Sequence, residues 1–212
     1  MLKTFVNTLI ASSTLLIASH VAQAATITHI SDSAEQVSPV LPGLVIPDST
    51  LKNTQGEEVS IKALVSEKPT ILVVYRGGWC PYCSKQLANI QKVEQQLVEK
   101  GFQIIAVSPD SPEKLRESKI SSANYKLLSD DQLRLSQDLG LAFFLEDKVA
   151  DIYRNKLGVN FVTLDGEQKV ALPVPAVFVL DTDSRVHFQY ANPNYKVRLS
   201  EQLLLAAADS VQ

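Results

Sequence analysis

Residues 69–87, P-T-I-L-V-V-Y-R-G-G-W-C-P-Y-C-S-K-Q-L, constrain this chain more than any other stretch. T-I-L-V-V-Y is apolar without alternation and rich in β-branched residues, the pattern of a strand buried on both faces. Beyond it, Leu87, Ile90, Val93, Leu97 and Val98 recur at steps of three or four, which predicts a helix, and Gly101 stands where its C-terminal cap belongs. The chain's two cysteines, Cys80 and Cys83, fall at the junction of that strand and that helix.

The rest of the chain repeats the alternation. Residues 41–61 give two short extended pieces about a turn at Asn53 to Gly56, a hairpin. F-Q-I-I-A-V (102–107) is the next strand. Ser111 then reads as an N-cap with Pro112 at the first helical position. Y-K-L-L-S (125–129) is a short strand, and the segment from Asp130 to Gly140 a helix. E-D-K-V-A-D-I-Y-R-N-K-L-G (146–158) reads as helical, then irregular to 172. P-A-V-F-V-L-D-T-D-S-R-V-H-F-Q-Y (175–190) makes a hairpin turning near Asp181 to Ser184, and Ser200 caps a last helix. Strands alternating with helices predict an α/β fold, a central mixed β-sheet flanked by helices with an N-terminal β-hairpin extension.

Residues 1–24 stand apart. One basic residue, Lys3, precedes an apolar run that ends in Ala22-Gln23-Ala24, the order of a cleavable secretory signal peptide. Cleavage after Ala24 predicts an exported, periplasmic protein without a membrane anchor. Residues 25–40 are polar and unpatterned and read as a mobile lead-in, leaving 41–212 as one domain. The formal charge is −3, or −4 once Lys3 is removed, and no run of Lys or Arg marks a nucleic-acid surface.

An exported chain can keep a disulfide, but a bond across C-x-x-C closes almost no loop and staples little. A zinc site needs four ligands, and after the leader the chain offers beyond its cysteines only His29 and His187. Two thiolates with His187 would suit Cu(I), a copper-binding role in place of catalysis. Redox chemistry fits the placement best. The first turn of a helix carries unpaired N–H groups and a partial positive charge, both of which favour thiolate.

W-C-P-Y-C after a buried strand resembles the thioredoxin W-C-x-x-C motif. From about residue 43 the chain also resembles the alkyl hydroperoxide reductase and thiol-specific antioxidant group, the peroxiredoxins. The resemblance runs through G-L-V-I-P-D-S-T-L, G-E-E-V-S-I, V-Y-R-G-G-W-C-P-Y-C-S-K-Q-L, L-P-V-P-A-V-F-V-L-D and Y-A-N-P-N-Y. It implies a thioredoxin-like fold and a thiol oxidoreductase. Cys83 falls on the family's peroxidatic cysteine, while Cys80 takes the position of its Thr or Ser and Arg76 that of its Pro. Pro175 takes the position of its second catalytic element, an arginine. In thioredoxin terms Pro175 matches the cis-proline facing the dithiol, with Val174 before it lining the partner groove. The buried acid six residues before the first cysteine is replaced by Val74.

Two mechanisms follow. In peroxide reduction Cys83 attacks the O–O bond and Cys80 condenses with the sulfenic acid, with Arg76 the nearest cation for the developing oxyanion and Arg198 a second. In disulfide exchange Cys80 attacks a protein disulfide and Cys83 resolves the mixed disulfide. Trp79 packs beside the dithiol in either case. Neither mechanism implies a metal or organic cofactor. Both require a thiol reductant partner, because an oxidised pair is spent.

Overall fold

The computed structural model describes residues 30–118, 124–157, 162–164 and 167–211. The signal-peptide expectation for residues 1–24, and His29, lie outside them. The hairpin forms as predicted, from β1 (Thr50–Lys52) and β2 (Glu58–Ser60). Asn53 makes its turn, with its Oδ1 accepting from the amides of Gln55 and Glu57. The buried run becomes β3 (Thr70–Val74), every residue of which is inside, and β4 (Gln103–Ser108) is likewise buried throughout. β5 (Tyr125–Ser129) follows, then the short β6 (Ala142–Phe144), β7 (Val162–Leu164), β8 (Glu167–Lys169) and β9 (Ala171–Pro173). The final hairpin is β10 (Ala176–Leu180) and β11 (Val186–Ala191).

Seven strands form one sheet in the order β11-β10-β3-β4-β5-β1-β2. The pairs β3–β4 and β4–β5 are parallel and the others antiparallel, so the sheet is mixed. Helices cover both faces: α1 (Ile61–Val65), α2 (Pro81–Lys92), α3 (Glu94–Glu99), α4 (Pro112–Arg116), α5 (Arg134–Asp138), α6 (Asp147–Leu157) and α7 (Glu201–Asp209). Alternate residues of β3 feed separate cores, because successive side chains leave a strand on opposite faces. Ile71 and Val73 pack with α2, α3 and α7, while Leu72 and Val74 pack with α1 and α5.

Three sequence expectations change. The helix after the cysteines is two helices, broken at Val93, where φ −109 and ψ 6 leave helical geometry. Within the stretch expected to be irregular to 172, the described residues include strands: β9 pairs with β6, and β7 with β8. Residues 31–40 are pinned where a mobile lead-in was expected. Ser31 bridges to Phe143, the amides of Ser38 and Val40 donate to the carbonyls of Gly140 and Leu139, and Ala34, Val37 and Val40 pack on the core. These hydrogen bonds are invisible to local patterning because their acceptors lie a hundred residues away.

Candidate active site

The end of β3 sets the site. Tyr75 keeps its amide on Val107 O at 2.9 Å, and the chain then turns through Gly77 and Gly78 into α2. Gly77 has φ +137, and a Cβ there would collide with Trp79 and with Asp110 Oδ1. Asp110 fastens the turn, its Oδ2 accepting from the Gly78 amide at 2.7 Å and from Ser108 Oγ at 3.2 Å. Asp110 thus braces the loop that leads into the dithiol from the end of β4; Val74, at the position of the thioredoxin acid, belongs to the other core.

Cys80 is the N-cap of α2, Pro81 occupies its first turn, and Cys83 lies inside it. Both thiols are reduced and buried, 1% and 0% exposed. They share a proton. The Cys83 thiol donates to Cys80, which, with the Cys83 amide and the charges of Arg76 and Arg198, brings Cys80 down to about 6 against the penalty of burial. The same hydrogen bond, joined by burial, pushes Cys83 up, opposed by Arg198 and the Arg76 backbone N–H.

The two arginines meet the dithiol differently. Arg198, on the segment between β11 and α7, places Nη2 3.3 Å from Cys83 Sγ. Arg76, 3% exposed, instead sits among aromatic rings, 4.2 Å from the centroid of Tyr195 and 5.3 Å from those of Trp79 and Tyr153. Its Nη2 donates to Tyr153 Oη at 2.7 Å. Trp79 meets Tyr153 edge-on at 5.2 Å and packs against the core containing both cysteines. Tyr82 meets Tyr195 the same way at 5.7 Å. Tyr75 is buried between these groups, its phenol raised by burial and by the charges of Asp110 and Cys83.

Tyr153 and Asp110 lie in no motif, and Tyr195 and Gln86, though inside the stretches that carry the resemblance, have nothing in the sequence to mark them as site residues. Only the fold assembles them.

Pro175 and Val174 correct the thioredoxin-like assignment. There is no cis peptide bond among the described residues, so the Val174–Pro175 bond is trans, the ordinary preference. Continued one step, the β10–β3 register brings Pro175 abreast of Tyr75, at the start of the dithiol loop. Val174 is fully buried and its amide already donates to Leu141 O at 2.9 Å. The copper alternative also loses its third ligand. His187 Nε2 is 2.8 Å from Asp181 Oδ2, and among the described residues no three His, Cys, Asp or Glu side chains gather to hold a metal ion.

A buried dithiol at a strand–helix junction of a mixed sheet defines a thiol-dependent oxidoreductase of thioredoxin-like fold. The chain belongs to the AhpC/TSA family, whose sequence profile matches residues 42–189. It is 24% identical to Peroxiredoxin Bcp of Escherichia coli (strain K12) over 106 residues, 50% of this chain and 67% of the relative. It is 27% identical to the chloroplastic Peroxiredoxin Q of Gentiana triflora over 154 residues, 72% of this chain and 60% of the relative. Among solved structures, reduced Prx3 of Vibrio vulnificus in complex with hydrogen peroxide superposes with a TM-score of 0.63 at 18% identity, covering 80% of this chain and 96% of that one.

Proposed function

We propose that this protein is an exported antioxidant thiol peroxidase in which Cys83 reduces a hydroperoxide and Cys80 resolves the product. The observation that carries the assignment is the guanidinium of Arg198 at 3.3 Å from Cys83 Sγ. Donors at the sulfur stabilise the thiolate once the proton has passed to Cys80, and meet the charge that develops on the departing oxygen. Arg198 thus supplies the cation that the family pattern leads one to seek at position 175. Burial of both sulfurs favours a substrate as small as a peroxide over a protein disulfide.

The resting charge lies on Cys80, and passing the shared proton from Cys83 to Cys80 moves it to Cys83. The Cys83 thiolate attacks one peroxide oxygen. The S–O bond forms, the O–O bond breaks, and the alkoxide or hydroxide that leaves takes a proton from water. Cys80, deprotonated again, displaces hydroxide from the Cys83 sulfenic acid and closes the Cys80–Cys83 disulfide. The sum is one dithiol monoanion and one hydroperoxide giving one disulfide, one alcohol or water, and one hydroxide. An external thiol reductant must reopen the disulfide. Relatives carrying the name peroxiredoxin support this reading.

The low position of Cys80 favours a second reading, disulfide exchange with Cys80 as the attacking thiolate. Arg198→Met separates the two. Loss of the donor lowers the rate of oxidation by hydrogen peroxide by about 10²-fold, the scale of one oxyanion donor. In disulfide exchange the variant reduces small disulfides at nearly the original rate, since Cys80 keeps the hydrogen bond from Cys83. Export rests on the leader-like residues 1–24. N-terminal sequencing of protein recovered from the periplasm, beginning at Ala25, is its test; a chain retained with Met1 in the cytoplasm would contradict it.

A further inference from the structure

The buried face of α2 is Cys83, Gln86, Leu87 and Ile90. Gln86 is 4% exposed, and its Oε1 is fully buried with no hydrogen-bond donor among the described residues. It follows Cys83 by three positions, so the two share a helix face. Helical side chains lean back toward the N-terminus, which carries the Gln86 amide over the turn that holds Cys83. An unpartnered acceptor inside a core is costly to keep, and this one shares its buried helix face with the reactive sulfur.

Donors at the same place are plentiful. Arg198 Nη2 and the Arg76 backbone N–H address Cys83, and the Nε atoms of Arg76 and Arg198 are also buried without partners. Arginine has no acceptor to offer. A hydroperoxide presents lone pairs on both oxygens and a hydrogen on the oxygen that the thiolate attacks. Donors can hold the lone pairs and stabilise the oxygen that leaves, but the O–H requires an acceptor or the attacked oxygen is free to swing.

We propose that Gln86 Oε1 accepts the hydrogen bond of the hydroperoxide O–H and so aims the attacked oxygen at Cys83 Sγ. This rests on the peroxidase reading. The amide gains and loses no proton: the hydrogen stays on the attacked oxygen, which becomes the sulfenic oxygen as the O–O bond breaks. Being neutral, the amide accepts without repelling the thiolate, as a carboxylate there would.

The test uses Cys80→Ser protein, in which Cys83 alone reacts, with and without Gln86→Leu. Oxidation by hydrogen peroxide is compared with alkylation by iodoacetamide, which carries no O–H. The proposal predicts that Gln86→Leu slows peroxide oxidation at least tenfold, leaves alkylation within about twofold, and raises the melting temperature, because a buried unsatisfied acceptor has been removed. A glutamine that merely packs would lower stability and slow both reactions together, and either that result or an unchanged peroxide rate overturns the assignment. Gln86→Met, closer in shape, repeats the comparison should the leucine variant not fold. If the parent reacts with peroxide no faster than a free thiol, the peroxidase reading fails before Gln86 is touched, and the assignment falls with it.

Discussion

At the scale of single residues, chemistry turns on where one proton sits. Cys83 donates to Cys80, so removing the last proton of the pair is opposed by burial and by the charge already present, while removing the first is easy. Alkylation of Cys80 by iodoacetamide should therefore rise with pH through about 6 and level off well below the range where a free thiol titrates. The sign is that of a depressed acid, with thiolate above about 6 and thiol below it. A rate still climbing at pH 8, read by mass spectrometry, contradicts the shared proton. Gly77 is the second sensitive residue. Gly77→Ala puts a methyl where Trp79 and Asp110 stand, at a φ that side chains avoid. A cost of about 1–3 kcal/mol in urea denaturation is expected, with altered Trp79 fluorescence. The cysteines were legible because their spacing and strand–helix setting are local. Arg198 was named only as a second cation, because the contact that makes it first spans 115 positions. Arg76 lies where its place in the loop suggests, its charge helping to lower Cys80, but the rings of Tyr153 and Tyr195 that hold it come from distant segments no local pattern connects.

At the scale of elements, local chemistry predicted ends better than breaks. Ser111 and Ser200 cap α4 and α7 as expected, accepting from the amides of Lys114 and Leu203. Ser200 matters to the site as well, because it ends the segment that carries Arg198. Ser200→Ala should cost about 0.5–2 kcal/mol in thermal denaturation and loosen Arg198, so that peroxide oxidation slows while Cys80 alkylation holds. Intact oxidation in a destabilised variant would separate α7 from the site. The break at Val93 carried no glycine or proline to announce it, and β6 and β9 are too short to show a period. The cis geometry at Pro175 was inferred by resemblance alone, and the backbone there is trans.

At the scale of the whole molecule, the sheet puts the dithiol at the end of a central strand and closes it with segments from far along the chain. The order β10-β3-β4 follows from the buried runs, which pack only against covered faces. The straps that finish the structure leave no such trace. Residues 31–40 bind through backbone amides and carbonyls, which every sequence possesses. Deleting residues 25–40 removes the Ser31, Ser38 and Val40 contacts with residues 139–144. At about 0.5–1.5 kcal/mol net per hydrogen bond, a loss of at least about 2 kcal/mol is expected in denaturant titration; no change would mean that the strap is dispensable.

Whether Cys83 is a peroxidatic thiol is decided by stopped-flow oxidation of the reduced protein by hydrogen peroxide, followed by Trp79 fluorescence. A rate orders of magnitude above that of a free thiol, lost in Cys83→Ser, is expected. A rate no better than a free thiol, or one that survives Cys83→Ser, contradicts that role.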